Sequence, residues 1–195
     1  MAKVGVLALQ GAFREHREVL EALGVSVTEV RVPEHLSAVD ALVIPGGEST
    51  TITRLLDTSA LRDPLVERLR NDMPALGTCA GLILLAAEVR DGRPDQMPLG
   101  VLDVAVRRNG YGRQRDSFET GLTVTGLIGA PFPGVFIRAP VVEETGAHVE
   151  VLAAHDGHPV LVRQGHVWGA TFHPELSGDL RVHQLFVQSI SSITS

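Results

Sequence analysis

The sequence predicts an α/β protein with a doubly wound, mostly parallel sheet flanked by helices and an antiparallel extension. In the first half of the chain, short apolar runs typical of buried strands alternate with segments of helical periodicity. Such alternation is typical of βαβ units, and therefore of a parallel sheet. In the second half, strand-like runs follow one another through turn residues, which favours antiparallel pairing. We expect one domain over residues 1–195, a length that suffices for a continuous core.

Composition narrows the possible partners and location. The formal net charge is −6 and no basic cluster is present, which argues against nucleic acid or an anionic membrane as partner. The apolar run from Val4 to Leu9 is too short for a signal segment or a membrane span. Cys79 is the only cysteine, so no internal disulfide forms, as expected in a reducing compartment. We therefore expect a cytoplasmic protein, and we predict no cofactor and no metal.

The first strand is predicted over residues 3–9, and the first helix over residues 13–23, where Gly24 stops it. The near-continuous apolar run from Lys3 to Leu9 is typical of a strand buried on both faces, and we expect it at the centre of the sheet. Gln10 then lies at the carboxyl end of a parallel strand, where open α/β sheets build their sites. His16 lies on the apolar stripe of the helix, and we expect it to pack or to cap rather than to react.

Two further strands, at residues 26–32 and 41–44, lead to a glycine-rich loop. The loop Pro45-Gly46-Gly47-Glu48 precedes an amphipathic helix, and no lysine follows its glycines as in a phosphate-binding loop. Glycines allow a backbone N–H to face a developing negative charge, so the loop is a candidate oxyanion hole. A simple turn is the alternative.

A nucleophile elbow is predicted at Cys79. After a helix over residues 61–70, the stretch 74–86 is typical of a short buried strand, a tight turn and an apolar helix, which we expect to end near Glu88. The pattern Gly77-x-Cys79-x-Gly81 leaves no room for β-carbons in such a turn. A helix N-terminus favours thiolate over thiol. The alternative is that Cys79 is a small buried hydrophobic residue.

The second half is predicted as strands and one closing helix. We expect strands at residues 101–106, 122–124 and 135–137, a hairpin formed by 149–154 and 160–163, and a terminal helix over 179–193. The polar stretch from Arg107 to Phe118 is a candidate substrate loop. Within it, Arg108 either meets a substrate carboxylate or is solvated.

The last predicted strand, residues 167–172, runs directly into His173-Pro174-Glu175. If the backbone stays extended, His173 and Glu175 point to the same side. Imidazole can take a thiol proton and later protonate a leaving amine, while a carboxylate orients the imidazole. A solvent-exposed strand end is the alternative, and the pair alone is too little for zinc.

Taken together, these motifs resemble those of class I glutamine amidotransferase domains. The finer resemblance, which spans essentially the whole chain, is to the glutaminase subunits of pyridoxal 5′-phosphate synthases. Gly110-Tyr111 stand where that family more often has Ser-Phe. The discriminating segments are Leu9-Gln10-Gly11-Ala12 with Arg14-Glu15-His16, Gly46-Gly47-Glu48-Ser49-Thr50-Thr51, Arg108-Asn109 with Gly112-Arg113-Gln114, Asp116-Ser117-Phe118-Glu119, and Phe136-Ile137-Arg138-Ala139-Pro140.

The resemblance implies a flavodoxin-like amidotransferase fold and a glutaminase that acts through a cysteine thioester. Cys79 resembles the family nucleophile, and His173 and Glu175 resemble its base and orienting carboxylate. Backbone N–H groups near Gly47 and Ala80 would hold the oxyanion. The implied glutamine-binding residues are Gly47, Glu48, Ser49, Arg108, Ile137 and Arg138.

The resemblance also implies a partner. Ammonia would pass to a separate (β/α)8-barrel synthase subunit in a hetero-oligomeric complex that makes pyridoxal 5′-phosphate. Ammonia in water is mostly protonated and non-nucleophilic, so a dry route between the subunits is chemically required. We expect Gln10 and the loops near it to face that partner.

Three competing interpretations remain. PfpI-like hydrolases and stress proteins also place a cysteine on an elbow, but often with histidine directly after it, where this chain has Ala80. A degenerate subunit that only docks would be expected to lack Cys79, His173 or Glu175, and all three are present. A glutaminase with a different acceptor is opposed only by the finer set of motifs.

Overall fold

A computed structural model describes residues 2–93, 96–108 and 117–193. Twelve strands, six α-helices and one 3-10 turn occur within these ranges. In chain order they are β1 (Lys3–Leu7), α1 (Phe13–Ala22), β2 (Ser26–Val30), α2 (Pro33–Ser37), β3 (Ala41–Ile44), α3 (Ser49–Thr58), α4 (Arg62–Arg70), β4 (Ala75–Thr78), α5 (Ala80–Leu85), β5 (Ala86–Val89), β6 (Leu102–Arg107), β7 (Ser117–Leu122), β8 (Phe132–Ile137), β9 (Val141–Thr145), β10 (Glu150–His155), β11 (His158–Gln164), β12 (Val167–Ala170), the 3-10 turn (Pro174–Leu176) and α6 (Arg181–Ile193).

The main sheet has the strand order β10-β11-β12-β4-β3-β1-β2. The five strands from β12 to β2 are parallel, whereas β11 and β10 add on in antiparallel pairing. Renumbered along the chain, the parallel strands have the flavodoxin-like order 2-1-3-4-5. The predicted doubly wound sheet with an antiparallel extension is confirmed.

Helices cover both faces of this sheet. On one face, Leu20 of α1 and Phe186 of α6 belong to an apolar cluster that includes Val4 and Val6 of β1. The cluster on the other face contains apolar residues of α2, α3, α4 and α5, among them Leu82. A small sheet, β5-β6-β9, and the β7-β8 hairpin lie outside the main sheet. Among the described residues, no helix combines the length and apolarity needed to cross a bilayer.

The first strand is not central, contrary to the prediction. β1 lies one strand from the edge, between β2 and β3, and β4 is the middle strand. An apolar run requires packing on both faces of the strand. The apolar clusters on the two sides of β1 supply that packing, so the pattern does not fix the position within the sheet.

Several other element boundaries were predicted wrongly. Helix α5 ends at Leu85 rather than near Glu88, because the backbone is extended from Ala86 onward into β5. A short apolar run does not distinguish a buried helix from a strand. Pro33 begins α2 instead of merely ending a strand, in line with the preference of proline for the first helical turn. Strand β9 was not predicted. The strand predicted at residues 122–124 shares only Leu122 with β7, which begins at Ser117 and ends at Leu122.

The topology brings four predicted loops to one edge of the sheet. β1, β3, β4 and β12 are parallel neighbours, so their carboxyl ends lie side by side. Gln10, Gly46, Cys79 and His173 follow these four ends in the chain. Ligands of open α/β sheets bind at this edge, near the point where strand order reverses.

Candidate active site

Cys79 lies in the turn between β4 and α5. Its backbone has φ +50° and ψ −104°, a region that residues with a β-carbon rarely adopt and that occurs mainly at functional sites. The Cys79 N–H donates to the carbonyl of Ala170 over 2.8 Å, which ties the turn to β12. The thiol is free and 8% of the residue is exposed.

The two glycines of the elbow are required by close backbone contacts. A β-carbon on Gly77 would lie 2.6 Å from the backbone of Gly81, and one on Gly81 would lie 2.0 Å from the carbonyl oxygen of Ile44. These contacts let α5 pack directly against the ends of β4 and β3. The predicted strand, tight turn and helix are confirmed.

His173 and Glu175 meet beside Cys79, although their backbone differs from the prediction. β12 ends at Ala170, and the chain after His173 forms a 3-10 turn instead of an extended segment. His173 Nδ1 still lies 2.7 Å from Glu175 Oε1. The imidazole is 10% exposed and the carboxylate is fully buried. The His173 N–H also donates to the carbonyl of Val135 over 2.8 Å.

The electrostatics favour a charged pair. Burial lowers the pKa of His173, but hydrogen bonds to Cys79 and Glu175 and the charges of both outweigh it, and the pKa rises to about 10. Burial raises the pKa of Glu175, but the electrostatic influence of the neighbouring His16 and the contact with His173 lower it below its ordinary value. Because Nδ1 of His173 faces Glu175, Nε2 is the nitrogen left for the thiol. An imidazolium at neutral pH is thus stabilised between a sulfur atom and a carboxylate.

Cys79 and His173 open onto a cavity of about 330 Å³, at the small end of the range for small-molecule sites. Every binding or partner-facing residue predicted from the sequence lines this cavity. Its lining is formed by Gln10, Gly47, Glu48, Ser49, Cys79, Ala80, Ile83, Arg108, Ile137, Arg138 and His173.

The glycine-rich loop is held from two sides. The Gly46 carbonyl accepts from the Ala12 N–H over 3.0 Å, and the Glu48 N–H donates to Gln10 Oε1 over 2.9 Å. A β-carbon on Gly47 would lie 2.4 Å from Gln10 Oε1, and one on Gly46 would lie 2.5 Å from His173 Cε1. Both glycines are therefore required because neighbouring side chains approach the loop closely. A simple turn, the alternative interpretation, would not need this close approach.

Glu48 caps the helix that follows the loop. Its carboxylate accepts the backbone N–H groups of Thr50 and Thr51 at 3.3 and 2.8 Å, the hydroxyl groups of both residues, and Arg108 Nη2 at 3.2 Å. Burial raises the pKa of Glu48, but the hydrogen bonds from Thr50 and Thr51 outweigh it and lower the pKa to about 2. The next residue, Ser49, is buried and contacts Gln96 Nε2 through its hydroxyl at 2.8 Å.

The lining of the cavity also carries two cations, Arg108 and Arg138. Arg108 is half-buried and contacts Glu48 there, so it is not simply solvated. Arg138 has φ +42°, a second left-handed backbone conformation at this site, and follows the partly exposed Ile137. Two guanidinium groups and one carboxylate suit a zwitterionic ligand. Of the other residues in the predicted substrate loop, Arg107 ends β6 and Ser117 and Phe118 begin β7, so the ends of that segment are strands rather than loop. Residues 109–116 lie outside the described residues.

Sequence reasoning missed several buried polar residues next to the site. It expected His16 to pack or cap, and it did not single out Thr78, Gln96 or His183. The described structure buries all four and places His16 against Glu175. The available signal was weak: a histidine on the apolar face of the first helix and another on that of the last.

Comparison with known proteins identifies the family. The model of the SNO glutamine amidotransferase family matches residues 6–192. The chain belongs to this family. The amidotransferase is 58% identical over 187 residues to pyridoxal 5′-phosphate synthase subunit PdxT of Mycobacteroides abscessus, covering 96% of each chain. It is 49% identical over 188 residues to PdxT of Thermotoga neapolitana, covering 96% of this chain and 99% of that protein.

A solved structure agrees with the sequence relatives. The amidotransferase matches a crystal structure of glutamine amidotransferase with a TM-score of 0.91 and 51% identity, covering 96% of this chain and 98% of that one. The predicted resemblance to class I amidotransferases, and to the glutaminase subunits in particular, is therefore confirmed.

Proposed function

We propose that this amidotransferase hydrolyses L-glutamine to L-glutamate and ammonia in the cavity beside Cys79, and that the ammonia passes to a synthase subunit that makes pyridoxal 5′-phosphate. The observation that carries the proposal is that Cys79 and His173 line this cavity while the buried Glu175 carboxylate contacts His173 Nδ1. The sequence relatives named as subunits of pyridoxal 5′-phosphate synthase support the acceptor.

The geometry supports a two-step acyl transfer. The Cys79 sulfur attacks the side-chain carboxamide carbon of glutamine while His173 holds the thiol proton. Backbone N–H groups of Gly47 and Ala80 hold the resulting oxyanion; Ala80 is the first residue of α5, and the first N–H groups of a helix have no partner within it. The tetrahedral intermediate expels ammonia, which takes its proton from His173. Water activated by His173 then hydrolyses the γ-glutamyl thioester.

The cavity walls supply binding groups for the rest of glutamine. We assign the α-carboxylate to the cationic wall formed by Arg108 and Arg138, since guanidinium groups bind carboxylates well. Ile137 shields the aliphatic part of the substrate. Residues Gly47, Glu48 and Ser49 line the same cavity. Glu48 both caps α3 and provides negative charge for the α-ammonium group.

The proposed partner is a (β/α)8-barrel synthase subunit in a hetero-oligomeric complex, and the whole chain acts as one glutaminase domain. We place the complex in the cytoplasm, where a thiol nucleophile stays reduced. Gln10 is half-buried, lines the cavity and holds the Glu48 N–H. A partner that docks near Gln10 would therefore act directly on the oxyanion loop.

The deciding experiment measures glutamate release from glutamine by the purified chain, alone and with its cognate synthase subunit. We expect release that requires the synthase and that Cys79→Ala abolishes. Release by Cys79→Ala equal to that of the wild type would refute the assignment of the nucleophile. No release by the wild type in either condition would favour a subunit that only docks, or a different acceptor enzyme.

The role of Gln10 is tested separately. Gln10→Ala removes the acceptor for the Glu48 N–H, so we expect weaker complex formation or lower synthase-stimulated turnover. Gln188→Ala, at an exposed position on α6, is the matched control. If Gln10→Ala left both complex formation and stimulated turnover unchanged, the partner-facing assignment would be withdrawn.

A further inference from the structure

A chain of buried polar side chains lies behind the proposed catalytic carboxylate. His16 Nε2 lies 3.3 Å from Glu175 Oε2 and 3.0 Å from the hydroxyl oxygen of Thr78. His16 Nδ1 lies 2.8 Å from His183 Nε2. His16, Thr78 and His183 are each 0% exposed. The chain thus connects α1 and α6 to Glu175 and to the residue that precedes Cys79.

The two histidines of this buried polar network, His16 and His183, are neutral at physiological pH. Burial lowers the pKa of His16, and the charge of Glu175 opposes this only in part. Burial, with the nearby His16, lowers the pKa of His183 to about 3. A neutral imidazole carries one proton, so each ring has one donor nitrogen and one acceptor nitrogen.

The surroundings decide which nitrogen carries each proton. Within the described part of the chain, His183 Nδ1 has no hydrogen-bond partner. Glu175 Oε2 has none either, apart from the 3.3 Å contact with His16 Nε2. A bare His16 Nε2 would turn its lone pair toward the carboxylate oxygen 3.3 Å away, which is repulsive. In that arrangement His183 would also keep a buried N–H without an acceptor, a costly state. Placing the protons on both Nε2 atoms removes both problems: His183 donates to His16, and His16 donates toward Glu175 and Thr78.

We propose that His16, held as a donor by His183, is a positioning residue that fixes the free oxygen of Glu175 while the other oxygen orients His173. The proposal rests on the proposed glutaminase function. The two carboxylate oxygens have separate tasks, since Oε1 faces His173 and Oε2 faces His16. His16 touches neither the substrate nor the Cys79 sulfur and acts only through Glu175.

Loss of the donor has a defined consequence for pH dependence. The titratable groups that face Glu175 are the neutral His16 from α1 and the cationic His173 from its own turn. Cys79 lies beyond His173, Glu15 of α1 acts on His16, and His183 of α6 acts through His16. Without the His16 N–H, burial dominates and the carboxylate takes up a proton at higher pH. The acid limb of kcat/KM then moves to higher pH.

The first test reads the protons directly and needs no activity. In the ¹⁵N-labelled free chain, long-range imidazole NMR spectra assign the tautomers of His16 and His183. We expect protons on Nε2 and bare Nδ1 atoms in both rings. A proton on His16 Nδ1 would overturn the proposal, even if glutamate release proceeds as proposed. Conversely, the expected tautomers would support it even if the proposed function failed.

The second test uses glutamate release in the complex with the synthase subunit. For His16→Leu we expect kcat to fall by up to about 100-fold, with KM little changed and the acid limb at higher pH. His16→Gln retains an amide N–H near the position of Nε2 and should recover most of the activity. Leu20→Ala, one turn further along α1 and also fully buried, is the control for lost stability.

The outcomes separate positioning from structure. A lower melting temperature for His16→Leu, with kcat and the acid limb as in Leu20→Ala, would reduce His16 to a packing residue. His16→Gln performing no better than His16→Leu would also count against the proposal. His183→Leu, which removes only the donor to His16, should give a smaller shift of the acid limb in the same direction and serves if His16→Leu does not fold.

Discussion

Gly46 is the residue at which backbone geometry and proposed chemistry meet most closely. A β-carbon there would lie 2.5 Å from Cε1 and 3.0 Å from Nδ1 of His173. The imidazole cannot retreat freely, because Nδ1 is held by Glu175 at 2.7 Å. Gly46→Ala should therefore displace the ring and lower kcat by about 100-fold, with a smaller effect on KM. Steady-state glutamate release in the complex measures this.

The structure of Gly46→Ala tests whether displacement of the His173 ring causes the lower kcat. If ring displacement is the cause, the structure of Gly46→Ala will show the contact between His173 and Glu175 lengthened while the fold is retained. Activity within twofold of the wild type would show that the loop moves instead of the ring.

For individual site residues, the sequence was informative where the contacts are between residues close together in the chain. Cys79 stands out because glycines flank it, and His173 and Glu175 because they are two positions apart at a strand end. His16 and His183 are 167 positions apart and meet only through the packing of the first and last helices. No spacing rule in one sequence brings such a pair together, so their contact could not be predicted.

Helix α3 depends on an unusual cap, since Glu48 fills the role more often taken by serine, threonine, aspartate or asparagine. Its carboxylate accepts the N–H groups of Thr50 and Thr51. Glu48→Ala should lower the free energy of unfolding by about 0.5–2 kcal/mol and raise KM for glutamine, because the cap is also a wall of the cavity. Glu48→Gln retains one carbonyl acceptor and should lose less. Urea unfolding and glutamate-release kinetics test the pair; equal stability of Glu48→Ala and wild type would contradict the capping role.

Helix α5 packs so closely on β3 that its second residue must be glycine. The β-carbon of Gly81→Ala would lie 2.0 Å from the carbonyl oxygen of Ile44, and neither backbone has a flexible end that can move. We expect a loss of about 2 kcal/mol or more, together with loss of activity as Cys79 moves with the helix. Denaturant unfolding measures the loss.

Gly178→Ala is the control for that substitution. Its β-carbon would enter open space, and the residue has φ +70°, so only the left-handed backbone penalty of about 1 kcal/mol is expected. A cost for Gly81→Ala no larger than that of Gly178→Ala would show that α5 can shift away from β3.

Predicting elements from sequence succeeded where the hydrophobic period was long and failed where it was short. The amphipathic helices α1, α4 and α6 were predicted within a few residues of their ends, and α3 was predicted after the glycine-rich loop without bounds. The four-residue strand β5 directly continues the apolar run of α5, and no turn residue separates them. Residues 82–86 therefore carry no signal that distinguishes the two structures.

The whole molecule has buried histidines with opposite pH behaviour. Below the ordinary pKa of 6.5, an unfolded chain protonates His183, whereas burial in the folded chain lowers that pKa to about 3. The unfolded state then binds more protons, so stability falls as pH drops from about 6.5 toward 3. Glu175, whose pKa is lowered from 4.5, acts in the same direction as the pH falls through its folded pKa. His173 acts oppositely: its contribution is complete below pH 6.5 and is lost as the pH rises through about 10.

These opposite pH dependences predict that the free energy of unfolding is largest near neutral pH. Its decrease toward acid pH depends on the contact between α1 and α6. One group protonated only in the unfolded chain contributes up to about 1.4 kcal/mol per pH unit to the slope. His183→Leu removes such a group, so its unfolding free energy should fall less steeply than that of the wild type between pH 6 and pH 4. Urea unfolding at a series of pH values gives both slopes. His158→Leu, at an exposed hairpin position, controls for loss of a histidine and should keep the wild-type acid limb. Equal slopes for His183→Leu and the wild type would mean that His183 gains its proton without unfolding, and that the two helices separate locally before the sheet does.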